Sequence, residues 1–542
     1  MPEDHPPADP GSGSPWSWSR PEDAPEPATR TSPTPPASGP PTARHALPRD
    51  EDFRRTVGFT VLGTVVPGVG LIAAGRRVVG SVVLALFVLV LATIGVAALV
   101  DREALVSLGV DPTSLRRIAI ALVVVAALWV AVVVATHLTL RHRPTRSQRV
   151  VGGLLVGVLA FAVAAPMAVA ARTAYVSAGL VGSMFKSSED TKSATRPTDE
   201  PGASHPGDKE QESDPWADKP RLNILLLGGD DGKGRVGTRT DTVILASIDT
   251  KTGDTALFSL GRNTARMPFP TDSPLHRYYP NGFTNGNPDD QEFALNAMYR
   301  DVPNRVPKDV LGETDNLGAD VLKISVGEAL GLKIDYYVLI NLKGFSTMVD
   351  ALGGIRLNVN TFIPIGGNTD LHIPPKEFIK PGANQKLDGR SALWYARGRY
   401  GADDFVRMDR QRCVINAMIK QANPANVLTR YEDIANASKS LVRTDIPQEV
   451  LPAMVDLSLR VKKGNVRSIV FKPGVAGFSP TDPDFSQMRS RVKKAIGEAK
   501  SDNTPAKTTG TTSSGKAPTS EDVDSTCKYD PKVAATAKPY TG

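Results

Sequence analysis

Four apolar stretches lie between residues 56 and 170, and they constrain the architecture of this chain more than any other feature. They run over 56–75, 78–100, 118–140 and 150–170. A helix needs about 20 mostly apolar residues to cross a hydrocarbon core of about 30 Å, and the last three stretches meet that length cleanly. Pro67, Gly68 and Gly70 interrupt the first at its centre. Arg54 and Arg55 precede it, Arg76 and Arg77 follow it, and Arg141, Arg143, Arg146 and Arg149 fill the loop between the third and fourth stretches. Arginine-rich loops remain on the cytoplasmic side. The loop at 101–117 sets Asp101, Glu103 and Asp111 against Arg102, Arg116 and Arg117, which suits the outer side. Both flanks of 56–75 then lie inside, and the stretch reads as a re-entrant or interfacial hairpin bending at Pro67–Gly68. Transmembrane helices are expected at about 78–100, 118–140 and 150–170. This gives a multi-pass protein of the cell membrane, with a cytoplasmic N-terminus and everything after residue 172 outside. Four crossings would require either an outside N-terminus or an inside C-terminal domain.

The segments around this membrane region (49–182) differ sharply in composition. Residues 1–48 are rich in Pro, Ser, Ala, Thr and Glu, hold too little apolar surface to offset their ordering entropy, and read as a disordered cytoplasmic segment. The segment lacks the short basic region and apolar stretch of a signal peptide, so the later apolar stretches are expected to bring the chain to the membrane. Residues 183–220 form a polar, acidic extracellular linker, expected to be extended; 221–500 read as an extracellular α/β domain. Residues 501–542 return to Thr/Ser/Pro/Lys low complexity and are expected to be unstructured, with the part after about residue 505 dispensable for activity. The net charge of +7 over 542 residues is too diffuse for a nucleic-acid footprint. Two cysteines make neither a disulfide framework nor a zinc site, so Cys413 reads as a buried thiol and Cys527 as a free thiol in the tail.

Within 221–500, the apolar run Leu222–Leu227, the β-branched run Asp241–Ile248 and Thr255–Leu260 predict strands, the last two joined by a hairpin turn at Lys251–Asp254. Helical spacing marks Val321–Leu330, Phe345–Leu352 and Arg410–Gln421, and Ile355–Val359 follows the second as a strand. A mixed sheet with helices on its faces is the natural architecture.

The residues that carry chemistry are arginines placed beside aspartates. No nucleophile elbow, P-loop or HExxH motif occurs. Asp230 and Asp231 follow Gly228–Gly229 at the carboxyl end of a strand, where ligands bind in open sheets. Arg239 and Asp241, two apart at the start of the next strand, are expected to share a face. Arg262 and Arg266 follow Thr255–Leu260. Arg397 and Arg399 are again two apart, and Arg407 and Gln411 are neighbours on a helix surface. Each group alone has an ordinary structural explanation, as turn chemistry or a solvated face. Together they point to a polyanion clamp plus a metal. Arginine forks match phosphate oxygens, and Mg²⁺ is commonly held by one or two carboxylates plus substrate phosphates.

The segments LNILLLGGDD, RTDTVILASIDTKTGDTALFSLGRNT, LNAMYR, IDYYVLINLKGFSTMVDALGGIRLNV and RGRYGADDFVRMDRQRCVI resemble the LytR–CpsA–Psr family, over about residues 221–425 and in the family's motif order. The resemblance implies an α/β/α domain with a mixed central sheet and a hydrophobic pocket for a polyprenyl chain. It implies a membrane-anchored phosphotransferase that moves a glycopolymer from a polyprenyl-pyrophosphate carrier to peptidoglycan, assisted by Mg²⁺. By the same resemblance Asp230 and Asp241 are the metal ligands. Arg239, Arg262, Arg266, Arg397, Arg399, Arg407 and Gln411 bind the pyrophosphate, with Asp241, Arg262 and Arg397 as the catalytic core. Gly261-Arg262-Asn263 stands where the family usually has Pro-Arg-Asp, and Arg412 where glutamine is common.

The partners implied are the lipid-linked glycopolymer, the peptidoglycan acceptor and membrane lipid, with no nucleic acid. The composition, rich in Ala, Val, Arg and Pro, suits an actinobacterial cell wall. The polymer itself could be teichoic acid, capsule or arabinogalactan. Two other functions compete: a membrane-bound sensor of polyprenyl-phosphate lipids without turnover, and a pyrophosphatase using the same clamp with water as acceptor.

Overall fold

The computed structural model describes residues 49–100, 108–109, 111–141, 144–197, 216, 219–231, 237–368, 371–421, 442–475, 477–501 and 520–540. The expectations for 1–48, and for most of the acidic stretch before residue 219, lie outside the described residues.

Helix α1 (Arg49–Val65) and the short α2 (Val69–Ala73) are separated by a turn at Pro67–Gly68, where the sequence places the bend. Gly68 takes φ +99°, and a Cβ there would lie 2.3 Å from the Gly80 carbonyl oxygen, so glycine is required on two grounds. Helices α3 (Arg77–Val100), α4 (Pro112–Leu140) and α5 (Arg146–Met184) follow. Among the described residues, three helical segments, Arg77–Ala97, Pro112–Leu140 and Arg146–Gly179, are long and apolar enough to cross a membrane. Helix α1 instead buries threonines at 56, 60 and 64. Their hydroxyls donate to Asp52 O, Thr56 O and Thr60 O respectively, and Trp129 Nε1 of α4 donates to Thr64 O at 3.0 Å. Polar groups away from water need such partners.

Helix α5 runs on to Met184, and the chain then folds against the domain. Gln448 N donates to Lys186 O, and Ser188 N to Glu449 Oε2. Asp320, almost wholly buried, accepts bonds from Ser193 Oγ, Ala194 N and Thr195 Oγ1. For residues 185–197 this corrects the expectation of an extended linker: a buried carboxylate needs donors, and this Ser/Thr-rich segment supplies them.

The domain is built on strands β1 (Arg221–Gly229), β2 (Thr240–Asp249) and β3 (Thr255–Leu260). Helices α6 (Leu295–Asp301) and α7 (Leu317–Leu330) lead to β4 (Tyr336–Asn341) and α8 (Leu342–Ala351). Strands β5 (Ile355–Val359), β6 (Ile363–Ile365), β7 (Glu377–Ile379) and β8 (Gly382–Leu387) form two small sheets before α9 (Gly389–Arg397) and α10 (Asp404–Gln421). Then come β9 (Val442–Thr444), α11 (Leu451–Lys463), β10 (Val466–Val470) and α12 (Phe485–Ser501).

A last strand, β11 (Glu521–Asp522), completes a seven-stranded sheet in the order β11-β10-β3-β2-β1-β4-β9. It is mixed: β1 pairs in parallel with β4 and β3 with β10, and the other pairs are antiparallel. Alternate residues face opposite layers. Leu225, Val243, Leu245 and Phe258 pack against Met298 of α6, Val321 of α7 and Met488 of α12. Ile244, Ala246 and Leu257 pack against Ile415 and Ile419 of α10 on the other side. Burial on both faces explains why β1 and β2 read as continuous apolar runs. The architecture is α/β/α with a mixed central sheet, as the sequence predicts.

From residue 520 the tail departs from expectation, while the expectation for 502–519 lies outside the described residues. Beyond β11 lie α13 (Val523–Thr526) and α14 (Pro531–Thr536), and Cys527 is disulfide-bonded to Cys413 of α10, with their Cα atoms 5.7 Å apart. Neither cysteine is a free thiol, and residues 520–540 are folded against the domain rather than unstructured. Three elements of two, four and six residues carry too little apolar periodicity to be seen in sequence. Val523, fully buried beside Ile244 and Leu257, is their one core side chain.

Candidate functional site

The strand directions bring the chemistry-bearing segments to one end of the sheet. Gly229 of β1 lies opposite both Thr240 of β2 and Asn341 of β4, and Val243 opposite Leu260 of β3. The ends of β1, β3 and β4 and the beginning of β2 therefore share an edge. A bulge at Gly228–Gly229 turns the chain into Asp230, whose Oδ1 accepts from Arg239 N at 2.9 Å. Helices α9 and α8 close over this edge. A Cβ on Gly389 would stand 2.0 Å from Ser346 O, an approach only glycine permits.

Between the sheet and these helices lies a cavity of about 370 Å³. Asp230, Asp241, Arg397, Arg399, Arg407 and Gln411 all line it. The rest of its wall is mostly apolar, including Leu226, Val338, Phe345, Met348, Val414 and Met418. A second cavity of about 280 Å³ abuts it, sharing Leu226, Ile415 and Ile419. It continues along Ile224, Ile248, Leu457 and Val461 towards the far end of the sheet, where Val181 and Phe185, at the end of α5, join the same apolar cluster. The two cavities form an apolar path from the acid- and arginine-lined edge towards the end of α5.

Ion pairing organises the polar edge. Arg262 Nη1 lies 2.9 Å from Asp241 Oδ1. Asp404, the first residue of α10, pairs with Arg262 Nε at 3.4 Å, Arg399 Nη1 at 3.5 Å and Arg407 Nη2 at 3.0 Å. Arg407 Nη2 also donates to Asp241 O at 2.8 Å, and Gln411 Nε2 to Thr242 Oγ1 at 2.9 Å. The Arg397 guanidinium lies over the Trp394 ring, 4.9 Å from its centroid. Loss of solvation opposes ionisation of Asp241, yet the Arg262 guanidinium, and after it Arg407, holds its carboxyl below the usual range. Burial pulls the Arg407 guanidinium down, against the pull of Asp404 and Asp241 in the other direction.

Two expected members face elsewhere. Arg239 and Asp241 do not share a surface: Arg239 precedes the first residue of β2, and its guanidinium meets Glu292 Oε1 at 2.9 Å and Gln291 O at 2.7 Å. Arg266, in a left-handed conformation at φ 51°, pairs with Asp482. Neither lines the cavity. Arg262 reaches it through Asp241 and Asp404. Arg397 and Arg399 both line it without being extended, because Arg397 closes α9 and Gly398 caps it.

Sequence reasoning assigned no role to Asp404 or to Arg410. Arg410, which burial pushes down to about 10, donates to Tyr395 O and Gly398 O and so holds the backbone between Arg397 and Arg399. An arginine three residues from Arg407 on a helix that packs inward was the available signal.

Residues 184–473 match the family model described as "LytR_cpsA_psr family". The chain belongs to the LytR_cpsA_psr family. Among its relatives is the polyisoprenyl-teichoic acid–peptidoglycan teichoic acid transferase TagU of Enterococcus faecalis. It is 29% identical over 235 residues, which span 42% of this chain and 62% of the relative, less than two thirds of its length. Biofilm regulatory protein A of Streptococcus mutans is 28% identical over 310 residues, 54% of this chain and 68% of that one. The crystal structure of B. subtilis TagV aligns over 52% of this chain and 97% of its own, at 24% identity and a TM-score of 0.36. The LytR_cpsA_psr match begins at residue 184, the end of α5, so the docked segment after that helix belongs to the family unit.

Proposed function

We propose that this chain is a membrane-anchored phosphotransferase that moves a glycopolymer from a polyprenyl-pyrophosphate carrier onto a peptidoglycan hydroxyl. One observation carries the reading: a cavity apolar along its length and lined by carboxylates and arginines at one end, the shape of a long hydrocarbon with a pyrophosphate head. The name of the enterococcal relative, a teichoic acid transferase acting on peptidoglycan, supports the same class of reaction. The catalytic domain lies outside the cell, with the N-terminus inside. The Cys413–Cys527 bond supports that placement, since disulfides persist in oxidising compartments.

In this reaction the acceptor hydroxyl oxygen attacks the phosphorus that bears the glycopolymer. The bond from that phosphorus to the bridging oxygen breaks, and polyprenyl phosphate leaves with the electron pair; the hydroxyl proton passes to solvent. The protein positions the reactants and stabilises charge, without forming a covalent bond. Arg397, Arg399 and Arg407 meet the phosphate oxygens, and Gln411 fixes the adjoining wall. Arg262 orients Asp241, and Asp404 keeps Arg262, Arg399 and Arg407 together in one cluster. Asp230 and Asp241 fit Mg²⁺: both are hard oxygen donors on the wall of one cavity, and two carboxylates plus substrate phosphates are a common magnesium site. Bound there, Mg²⁺ would neutralise charge building on the leaving phosphate.

The name of the streptococcal relative favours a second reading, a regulatory lipid-binding protein without turnover. Product analysis with the full chain in detergent separates the readings. Transfer predicts polyprenyl phosphate and polymer-linked peptidoglycan only when the acceptor is present. Free phosphorylated polymer without acceptor would indicate hydrolysis, and unchanged lipid would indicate binding alone.

A further inference from the structure

We propose that the C-terminal segment 520–540 is a strap that positions the arginines of the candidate site. It lies beyond the family match, which ends at residue 473, and it grips the two elements that carry those arginines. Along α10, the Cys527 disulfide reaches Cys413, two residues after Gln411. Beside it, Glu521 pairs with Arg412, and Asp524 pairs with Lys420 and accepts from Asn416 Nδ2 at 2.8 Å. The strap then crosses β5, where Asn358 Nδ2 and Asn360 Nδ2 donate to Cys527 O and Lys528 O, each at 3.0 Å. Its far end reaches the loop after α9. The Tyr540 ring meets Tyr400 edge-on at 5.5 Å between centroids and covers Gly401, where a Cβ would stand 2.2 Å from Tyr540 Cγ.

Tyr400 and Gly401 directly follow Arg399, whose partner Asp404 opens α10. The strap thus holds both ends of the Arg399–Asp404 pair: α10 through a covalent bond and ion pairs, the loop through an aromatic lid. Tyr540 makes none of the domain's core contacts and is about half exposed, so its role is to seat the loop rather than to stabilise the fold.

This inference rests on the proposed lipid pyrophosphate ligand, and the test keeps the two apart. The full chain in detergent is titrated with a polyprenyl pyrophosphate, comparing wild type with Tyr540→Ala, Tyr540→Phe and Cys527→Ser, and thermal melting is recorded for each. Tyr540→Ala is expected to melt like wild type and to bind about three- to tenfold more weakly, while Tyr540→Phe, which keeps the ring, restores affinity. Cys527→Ser, and wild type reduced by a dithiol, should weaken binding in the same direction. Wild type that fails to bind at all overturns the ligand assignment. Wild type that binds while Tyr540→Ala and Cys527→Ser bind equally well overturns the strap.

Discussion

The Asp404 carboxylate stands 3.0 Å from the almost fully buried Arg407 guanidinium, and the pair sits at the start of α10, where the same carboxylate also reaches Arg262 and Arg399. Guanidiniums held this close repel one another, and Asp404, with Asp241 paired to Arg262 beside it, offsets that repulsion.

Asp404→Asn should therefore act on stability and on ligand binding together. It removes a charge-assisted partner from a buried guanidinium, a loss of about 1–3 kcal/mol. It also lets Arg399 and Arg262 drift from the cavity edge. Chemical denaturation and lipid titration on the same variant check both parts, and a variant as stable as wild type would show the pair to be unimportant.

Asp241 gives a pH signature. Its carboxyl titrates below the ordinary range in the folded chain, chiefly because Arg262 outweighs the cost of burial. A depressed folded value means stability that is fully present above the unfolded carboxylate value of about 4 and is lost as pH falls through the folded value. Melting curves of wild type and Asp241→Asn from about pH 6 down to about pH 3 should converge as the acid limit is approached. A constant gap across that range would contradict the Asp241–Arg262 coupling.

The disulfide makes a separate forecast. It closes a loop with a sequence separation of 114, and its loss should cost about 2–5 kcal/mol. Cys527→Ser and Cys413→Ser should lower the denaturation midpoint equally, and reductant should move wild type to the same place without affecting either variant further.

Most of the framework was legible in sequence because it rests on periodicity. The apolar runs of β1 and β2, the bend at Pro67–Gly68 and the Arg407/Gln411 spacing all follow from local pattern and survive in the structure. What escaped depends on long-range pairing. Asp404 looks like an ordinary helix-start acid until the fold brings Arg262 to it from 142 positions away. Arg239 and Asp241 obey the two-residue rule only inside a strand, and β2 begins between them. The tail failed for a related reason: its anchors are a cysteine, two acids and a tyrosine, each paired with a residue more than 100 positions distant.

Binding of a polyprenyl pyrophosphate to variants at opposite ends of the apolar path tests the proposed lipid site. Ile415→Trp fills the wall shared by the two cavities, while Arg397→Ala removes a guanidinium from the polar edge. Each should lower affinity about ten- to a hundred-fold, Ile415→Trp by excluding the chain and Arg397→Ala by losing a charge-assisted contact. A short-chain analogue that does not reach Ile415 should restore binding to Ile415→Trp but not to Arg397→Ala. Wild-type affinity in a well-folded Ile415→Trp would show that the lipid does not occupy this path.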